Sequence, residues 1–197
     1  MSLVHFITHP DVVIDPAVPV PDWPLSERGR ARMAACLAAP WVAGIRAIHC
    51  STEQKAIDGA AMLATHLGLP YATHPDLGEN DRSATGYLPR PEFEATADLF
   101  FAHPTESIRG WERAVDAQAR IVAAMDRLLA APPAGDMAIV AHGGVGALLL
   151  CALLGEPISR ARDQPPTASG GFRFAFEAGS RRVVQGWERI DGAPGAG

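Results

Sequence analysis

The sequence predicts an α/β domain of three layers, with helices on both faces of a mostly parallel sheet and an antiparallel hairpin at one edge. Three observations carry this. Short β-rich apolar runs alternate with segments of helical periodicity along most of the chain. The last two such runs flank Glu177-Ala178-Gly179-Ser180, as in a hairpin. Finally, 48% of the 197 residues are hydrophobic, enough for one well-buried core. The reading is one domain over residues 1–191, with a Gly/Ala/Pro-rich flexible tail at 192–197.

Taken in order, Leu3 to Ile7 is a strand that ends at Thr8-His9-Pro10, because proline pushes the residue before it out of the helical region. Residues 11–24 contain four prolines and read as a loop, after which Ser26-Glu27-Arg28-Gly29 opens a helix carrying Met33, Ala34 and Leu37. Ile45 to Cys50 is a short buried strand. A helix beginning at Ser51 follows, with Ala56, Ala60, Leu63, Ala64 and Leu67 on one face and Gly68 as its stop. Tyr71 to Leu77 is read as another short strand and Gly78 to Pro91 as a long exposed excursion, the kind of loop that often carries function. Trp111 to Leu129 is an amphipathic helix stopped by Pro132, Pro133 and Gly135. Met137 to Val140 is a strand, Ala141-His142-Gly143-Gly144 a turn, and Val145 to Leu154 a helix apolar on all sides and therefore buried. Phe172 to Phe176 and Val183 to Trp187 form the hairpin.

With 17 Lys+Arg against 22 Asp+Glu and no basic block, the chain carries −5 and lacks the electrostatic footprint of a nucleic-acid or anionic-membrane binder. Cys36, Cys50 and Cys151 are odd in number and share no C-x-x-C spacing, so they read as reduced core thiols. No signal-peptide pattern opens the chain and its longest apolar run is too short to span a bilayer, so the expected location is the cytoplasm.

Two histidines occupy the same topological position. His9 follows the first strand and His142 follows the strand Met137 to Val140, so a parallel sheet brings both to its carboxyl edge. Either one alone is more commonly structural; together they suit phosphoryl transfer, one imidazole attacking phosphorus while the other binds the equatorial oxygens. Gly143 and Gly144 add backbone N–H groups at a helix N-terminus, where anions bind. A metal site is disfavoured: His5 and His9 lie four apart on a strand and no H-E-x-x-H spacing occurs, while His49 and His74 read as strand-end residues and His66 and His103 as surface ones.

At these residues the sequence resembles the histidine phosphatase superfamily, which includes the phosphoglycerate mutases. The resemblance runs from about Leu3 to Phe176 through motifs in the family's order: Pro24-Leu25-Ser26-Glu27-Arg28-Gly29, the stretch Ser51 to Leu69, Glu79, Glu106-Ser107, and Ile139-Val140-Ala141-His142-Gly143-Gly144-Val145. It implies a phosphoglycerate mutase-like fold, no cofactor, His9 as nucleophile, Glu79 as proton donor, and His142 with the Gly143 amide as phosphoryl ligands. Three positions depart from the family. Thr8-His9-Pro10 stands where the family has Arg-His-Gly, Lys55 stands where it has its second arginine, and Asp15 stands where many members have asparagine. Thr8 and Lys55 are then the expected phosphate contacts, Lys55 without the bidentate fork of arginine. Losing one charge-assisted hydrogen bond, worth about 1.5–3 kcal/mol, weakens phosphate binding roughly tenfold to a hundredfold or more. Arg82, Arg28 and Arg46 are candidates to compensate.

The leading expectation is a phosphomonoester hydrolase acting on a small phosphorylated metabolite. The alternative is a module with an eroded pocket that binds a phosphorylated ligand or a protein partner without turnover. A mutase is disfavoured, since it must retain a phosphorylated intermediate tightly.

Overall fold

The computed structural model describes residues 2–131, 133–165 and 170–192. Among them are six strands, β1 (Leu3–Thr8), β2 (Ile45–Cys50), β3 (Ala72–Thr73), β4 (Asp136–Ala141), β5 (Phe172–Glu177) and β6 (Val183–Arg189). The α-helices are α1 (Glu27–Cys36), α2 (Gln54–Leu67), α3 (Arg90–Ala102), α4 (Ala114–Leu129) and α5 (Gly143–Leu154). One mixed sheet runs β3-β2-β4-β1-β5-β6. Its first four strands are parallel, while β5 pairs antiparallel with β1 and β6 with β5. This is the expected α/β architecture with its antiparallel edge. The tail expected from 192 lies, from residue 193 onward, outside the described residues.

Strand alternation sends Val4 and Phe6 of β1, with Met137, Ile139 and Ala141 of β4, into a cluster with α3, α4 and α5. Ile7, Ala138 and Val140 point the other way, into a second cluster with α1 and α2. Both faces of the central strands are thus covered, which is why those strands read as unbroken apolar runs.

Local chemistry sets the helix ends. Ser26 caps α1 by accepting from the Gly29 N–H at 3.1 Å. A Cβ on Gly29 would lie 2.0 Å from the Asp11 carbonyl oxygen, so glycine lets the 11–24 loop seat on α1. Gly68 ends α2 with φ 65°, in the left-handed region.

Three elements differ from expectation. α2 begins at Gln54, after Glu53 in extended conformation, while the Ser51 hydroxyl accepts from the Glu53 N–H at 3.2 Å and contacts His142. Tyr71 to Leu77 yields only the two-residue β3 and a 3₁₀ turn at Pro75–Leu77. α3 emerges at Arg90, before the expected excursion at 78–91 has ended; Pro89 and Pro91 fix its first turn, and Ala97, Phe100 and Phe101 anchor it in the core.

For the site, register matters most. Thr8 pairs with Ala141 and Cys50 with Val140, so His9, His142 and Ser51 leave three adjacent strands at one edge of the sheet. The other histidines lie apart. His5 is buried between Arg173 at 2.8 Å and Asp136 at 3.4 Å, His49 contacts His74 at 3.0 Å, and His66 and His103 are exposed. Among the described residues no helix is long and apolar enough to cross a membrane.

Candidate active site

The two histidines meet. Their ring centroids are 5.3 Å apart at an interplanar angle of 66°. His9 is tied to the next strand by its amide, which donates to the Ala141 carbonyl at 3.2 Å. Its Nδ1 lies 2.9 Å from the Pro10 carbonyl. A carbonyl only accepts, so Nδ1 carries the proton and Nε2 keeps its lone pair. Burial, followed by the nearby His142 and Lys55, pushes His9 down to about 3. The ring is therefore neutral at physiological pH, the form a nucleophile needs.

His142 is the N-cap of α5, and burial lowers its pKa against the pull of Glu53 and Glu79. Its Nε2 lies 2.7 Å from Ser51 Oγ and 3.2 Å from Glu53 Oε1. Glu53 also reaches Lys55 Nζ at 2.5 Å and accepts from the Glu79 N–H at 2.9 Å. Burial raises the Glu53 carboxyl, but His142, Lys55 and those hydrogen bonds outweigh it and leave it at about 2. Glu53 is thus an anion in the centre of the site. Sequence reading gave it no role, because a glutamate two positions before a lysine looks like solvated surface charge.

Lys55 is buried, its ammonium shared between Glu53 and the Val20 carbonyl at 2.7 Å. Glu79 is where the sequence placed it, but in a different state. Its carboxylate accepts from the Gly144 N–H at 3.0 Å and the Val145 N–H at 2.9 Å, so an internal anion occupies the first turn of α5. Burial raises its pKa; Arg82, His142 and the Gly144 amide more than offset that, and the net shift is downward. A resting proton donor would require the opposite. The close approach depends on Gly144, where a Cβ would sit 2.7 Å from Glu79 Oε1.

The Thr8 hydroxyl is buried. It donates to Gln164 Oε1 at 2.9 Å, lies 3.3 Å from the Phe172 carbonyl, and accepts from the Gly171 and Phe172 amides at 3.2 and 3.0 Å. Gln164 in turn abuts Gly143, where a Cβ would meet its Nε2 at 2.8 Å.

Of the three compensating arginines, only Arg82 lies at the site. It stands 3.8 Å from Glu79 Oε2, over the rings of Phe93 (5.1 Å) and Trp111 (5.5 Å). Arg28 is exposed beside Asp11, and Arg46 binds the Ala43 and Ile45 carbonyls at the opposite edge of the sheet. Asp15 is no threat to a bound phosphate: its carboxylate faces solvent and accepts from the Ala17 N–H at 2.9 Å.

Two connected spaces open from His9. A cavity of about 210 Å³ runs under α3, between Phe93, Phe100, Phe101 and Trp111. A cleft of about 1250 Å³ runs between the 11–24 loop and residues 78–98. Asp163, on both walls, is raised by burial to about 6.

A sequence profile of the histidine phosphatase superfamily (branch 1) matches residues 17–188. The chain belongs to the histidine phosphatase superfamily. The match begins beyond Thr8-His9-Pro10. No curated protein matches the chain. Among solved structures, a mycobacterial glucosyl-3-phosphoglycerate phosphatase in complex with inorganic phosphate is similar, with TM-score 0.75 and 21% identity, covering 98% of this chain and 100% of that one. Bacillus stearothermophilus YhfR gives 0.74 and 20%, covering 95% and 96%. The alpha-ribazole phosphatase from Shigella flexneri gives 0.69 and 17%, covering 93% and 94%. At these identities the similarity speaks to the fold, here phosphoglycerate mutase-like.

Proposed function

We propose that this histidine phosphatase superfamily member hydrolyses a small phosphomonoester through a phosphohistidine on His9. The observation that carries the reading is the state of His9: a neutral ring whose Nδ1–H is held by the Pro10 carbonyl, leaving Nε2 free to attack, 5.3 Å from a second imidazole.

Nε2 forms the bond to phosphorus as the P–O bond to the alcohol breaks, and the departing alkoxide takes a proton from Glu79. Glu79 rests as a carboxylate, so it must first gain that proton. A phosphomonoester titrates near pH 6, and one that arrives as a monoanion can hand its proton to Glu79 as the phosphoryl group draws near. Water then attacks the phosphohistidine, Glu79 accepts its proton, the P–N bond breaks, and inorganic phosphate leaves with His9 restored. His142, the Gly143 amide, Lys55 and Arg82 bind the equatorial oxygens. Such electrostatic stabilisation supplies much of the acceleration in phosphoryl transfer.

The second reading, a binding module without turnover, is favoured by one observation: the groups that should grip phosphate are already engaged, Lys55 by Glu53 and the α5 amides by Glu79. Turnover of a chromogenic phosphomonoester and a panel of phosphorylated metabolites across pH 5–8, compared with His9→Ala, separates the two. The hydrolase reading expects activity that disappears in the variant, together with an acid-labile phosphoryl label on the wild-type protein. Rates equal to those of His9→Ala on every substrate refute it.

A further inference from the structure

The phosphoryl end of any substrate is fixed at His9, so the alcohol must lie along the walls that lead away from it. Those walls carry a run of apolar and aromatic side chains. Trp23 and Tyr87 touch on one wall of the large cleft, their ring centroids 5.6 Å apart and Trp23 itself 6% exposed, and Val12, Ile14, Leu88 and Phe93 continue the same lining. Trp23 is held in place by its indole N–H, which donates to the Asp15 and Val18 carbonyls at 2.9 and 3.0 Å. Ile14 and Tyr87 remain exposed to solvent at the rim, at 59% and 38%. A cleft of about 1250 Å³ exceeds the usual range of roughly 300–1,000 Å³ for small-molecule sites.

Charge on the same walls points the same way. Every cation there is matched by a carboxylate: Lys55 by Glu53, Arg82 by Glu79, Arg90 by Glu94 at 3.9 Å, and Arg160 by Glu94, Asp98 and Asp163. The same walls carry six carboxylates, those of Glu53, Glu79, Asp81, Glu94, Asp98 and Asp163, against these four cations, so a second anionic group meets net negative charge. One neutral donor does stand unengaged. Asn80 is 5% exposed, lines both spaces, and its Nδ2 has no hydrogen-bond partner. A buried donor in that state is costly unless a ligand acceptor reaches it.

We propose that the cleft selects phosphomonoesters of a flat, apolar alcohol bearing no second anionic group, with Trp23 and Tyr87 as the specificity-determining rings and Asn80 Nδ2 donating to an oxygen next to the ester. This rests on the hydrolase reading of the site. It sets the chain's substrates apart from phosphoglycerate-type esters, whose carboxylate would enter a wall of paired charges.

The test compares 1-naphthyl phosphate, glycerol 2-phosphate and 3-phosphoglycerate on wild type, Trp23→Ala and Tyr87→Ala. Ratios of variant to wild type cancel the intrinsic reactivity of each leaving group. The proposal expects either variant to raise KM for naphthyl phosphate about three- to tenfold, the worth of one aromatic contact, with kcat and glycerol 2-phosphate turnover within twofold. It also expects 3-phosphoglycerate to be the poorer substrate relative to glycerol 2-phosphate. Tyr87 is exposed at the rim, so its variant keeps the test sound if Trp23→Ala loosens the 11–24 loop. Equal losses on the naphthyl and glycerol esters, no loss on either, or preference for 3-phosphoglycerate overturns the proposal. Should no ester turn over, calorimetric binding of 1-naphthylmethylphosphonate against methylphosphonate decides it separately. Tighter binding of the naphthyl compound that is lost in Tyr87→Ala upholds the cleft assignment while the hydrolase reading falls; equal binding overturns both.

Discussion

Glu53→Gln separates what the site gives to stability from what it gives to phosphate binding. In the folded protein the Glu53 carboxyl sits at about 2, against an ordinary 4.5. Each pKa unit is worth 1.36 kcal/mol, so the difference corresponds to about 3 kcal/mol. Because the folded pKa is the lower one, this contribution is complete above pH 4.5 and is lost as pH falls toward 2. The glutamine keeps an acceptor for the Glu79 N–H but gives up the negative charge that His142 and Lys55 stabilise. The variant should therefore be roughly 2–3 kcal/mol less stable at pH 7, with the deficit shrinking below pH 4.5. The opposite effect is expected on the ligand. Lys55, now held at 2.5 Å by Glu53, becomes available to phosphate, and one negative charge leaves the pocket. A charge-assisted hydrogen bond of about 1.5–3 kcal/mol converts to at least a tenfold gain in affinity. Denaturant unfolding from pH 3 to 7, and competitive inhibition by inorganic phosphate or direct calorimetric titration, measure the two effects. A folded variant that binds phosphate no more tightly than wild type would refute the view that Glu53 sequesters the lysine.

Other perturbations test neighbouring links. Gly144→Ala places a Cβ 2.7 Å from Glu79 Oε1 and should cut kcat at least about tenfold while leaving folding nearly intact; unchanged kcat would mean the Glu79 clasp on α5 is idle. Asp163→Asn should raise stability at pH 7 by about 1–3 kcal/mol. The aspartate's pKa is elevated to about 6, so the native state holds its proton longer than the unfolded chain, and the cost grows between pH 4 and 6. A thermal-shift series showing no pH dependence of the difference would contradict this. Arg82→Ala removes the one compensating arginine at the site and should weaken phosphate about tenfold, whereas Arg46→Ala, at the far edge of the sheet, should leave it unchanged. Similar phosphate constants for the two variants would sink that assignment.

The reach of the sequence follows from which interactions are local. The meeting of His9 and His142 was legible because each ends an apolar run and parallel pairing sends such ends to one edge. Gly68 was legible as a helix stop because the left-handed conformation it adopts is glycine's own. By contrast α3 was hidden: its prolines read as loop chemistry, and the burial of Ala97, Phe100 and Phe101 that makes it a helix depends on α4 and the sheet. Ser51 was read as a helix start, since nothing nearby in sequence announces a partner at position 142. The protonation of Glu79 depends on Arg82, and on His142 and the Gly144 amide more than sixty positions away, and the choice of Arg82 over Arg28 and Arg46 on where three separate segments lie in space.

Thr8 bears on how the pocket could have changed. Its hydroxyl stitches the end of β1 to the start of β5 through the Gly171 and Phe172 amides and the Gln164 side chain. Placing an arginine at this position would do more than add a charge: it would unpick that seam and thrust a guanidinium into a space where the present residue is 1% exposed. An engineer seeking a stronger phosphate grip would have to remodel the contacts of Thr8 with Gln164, Gly171 and Phe172 first, or look for a cation on the opposite bank of the pocket.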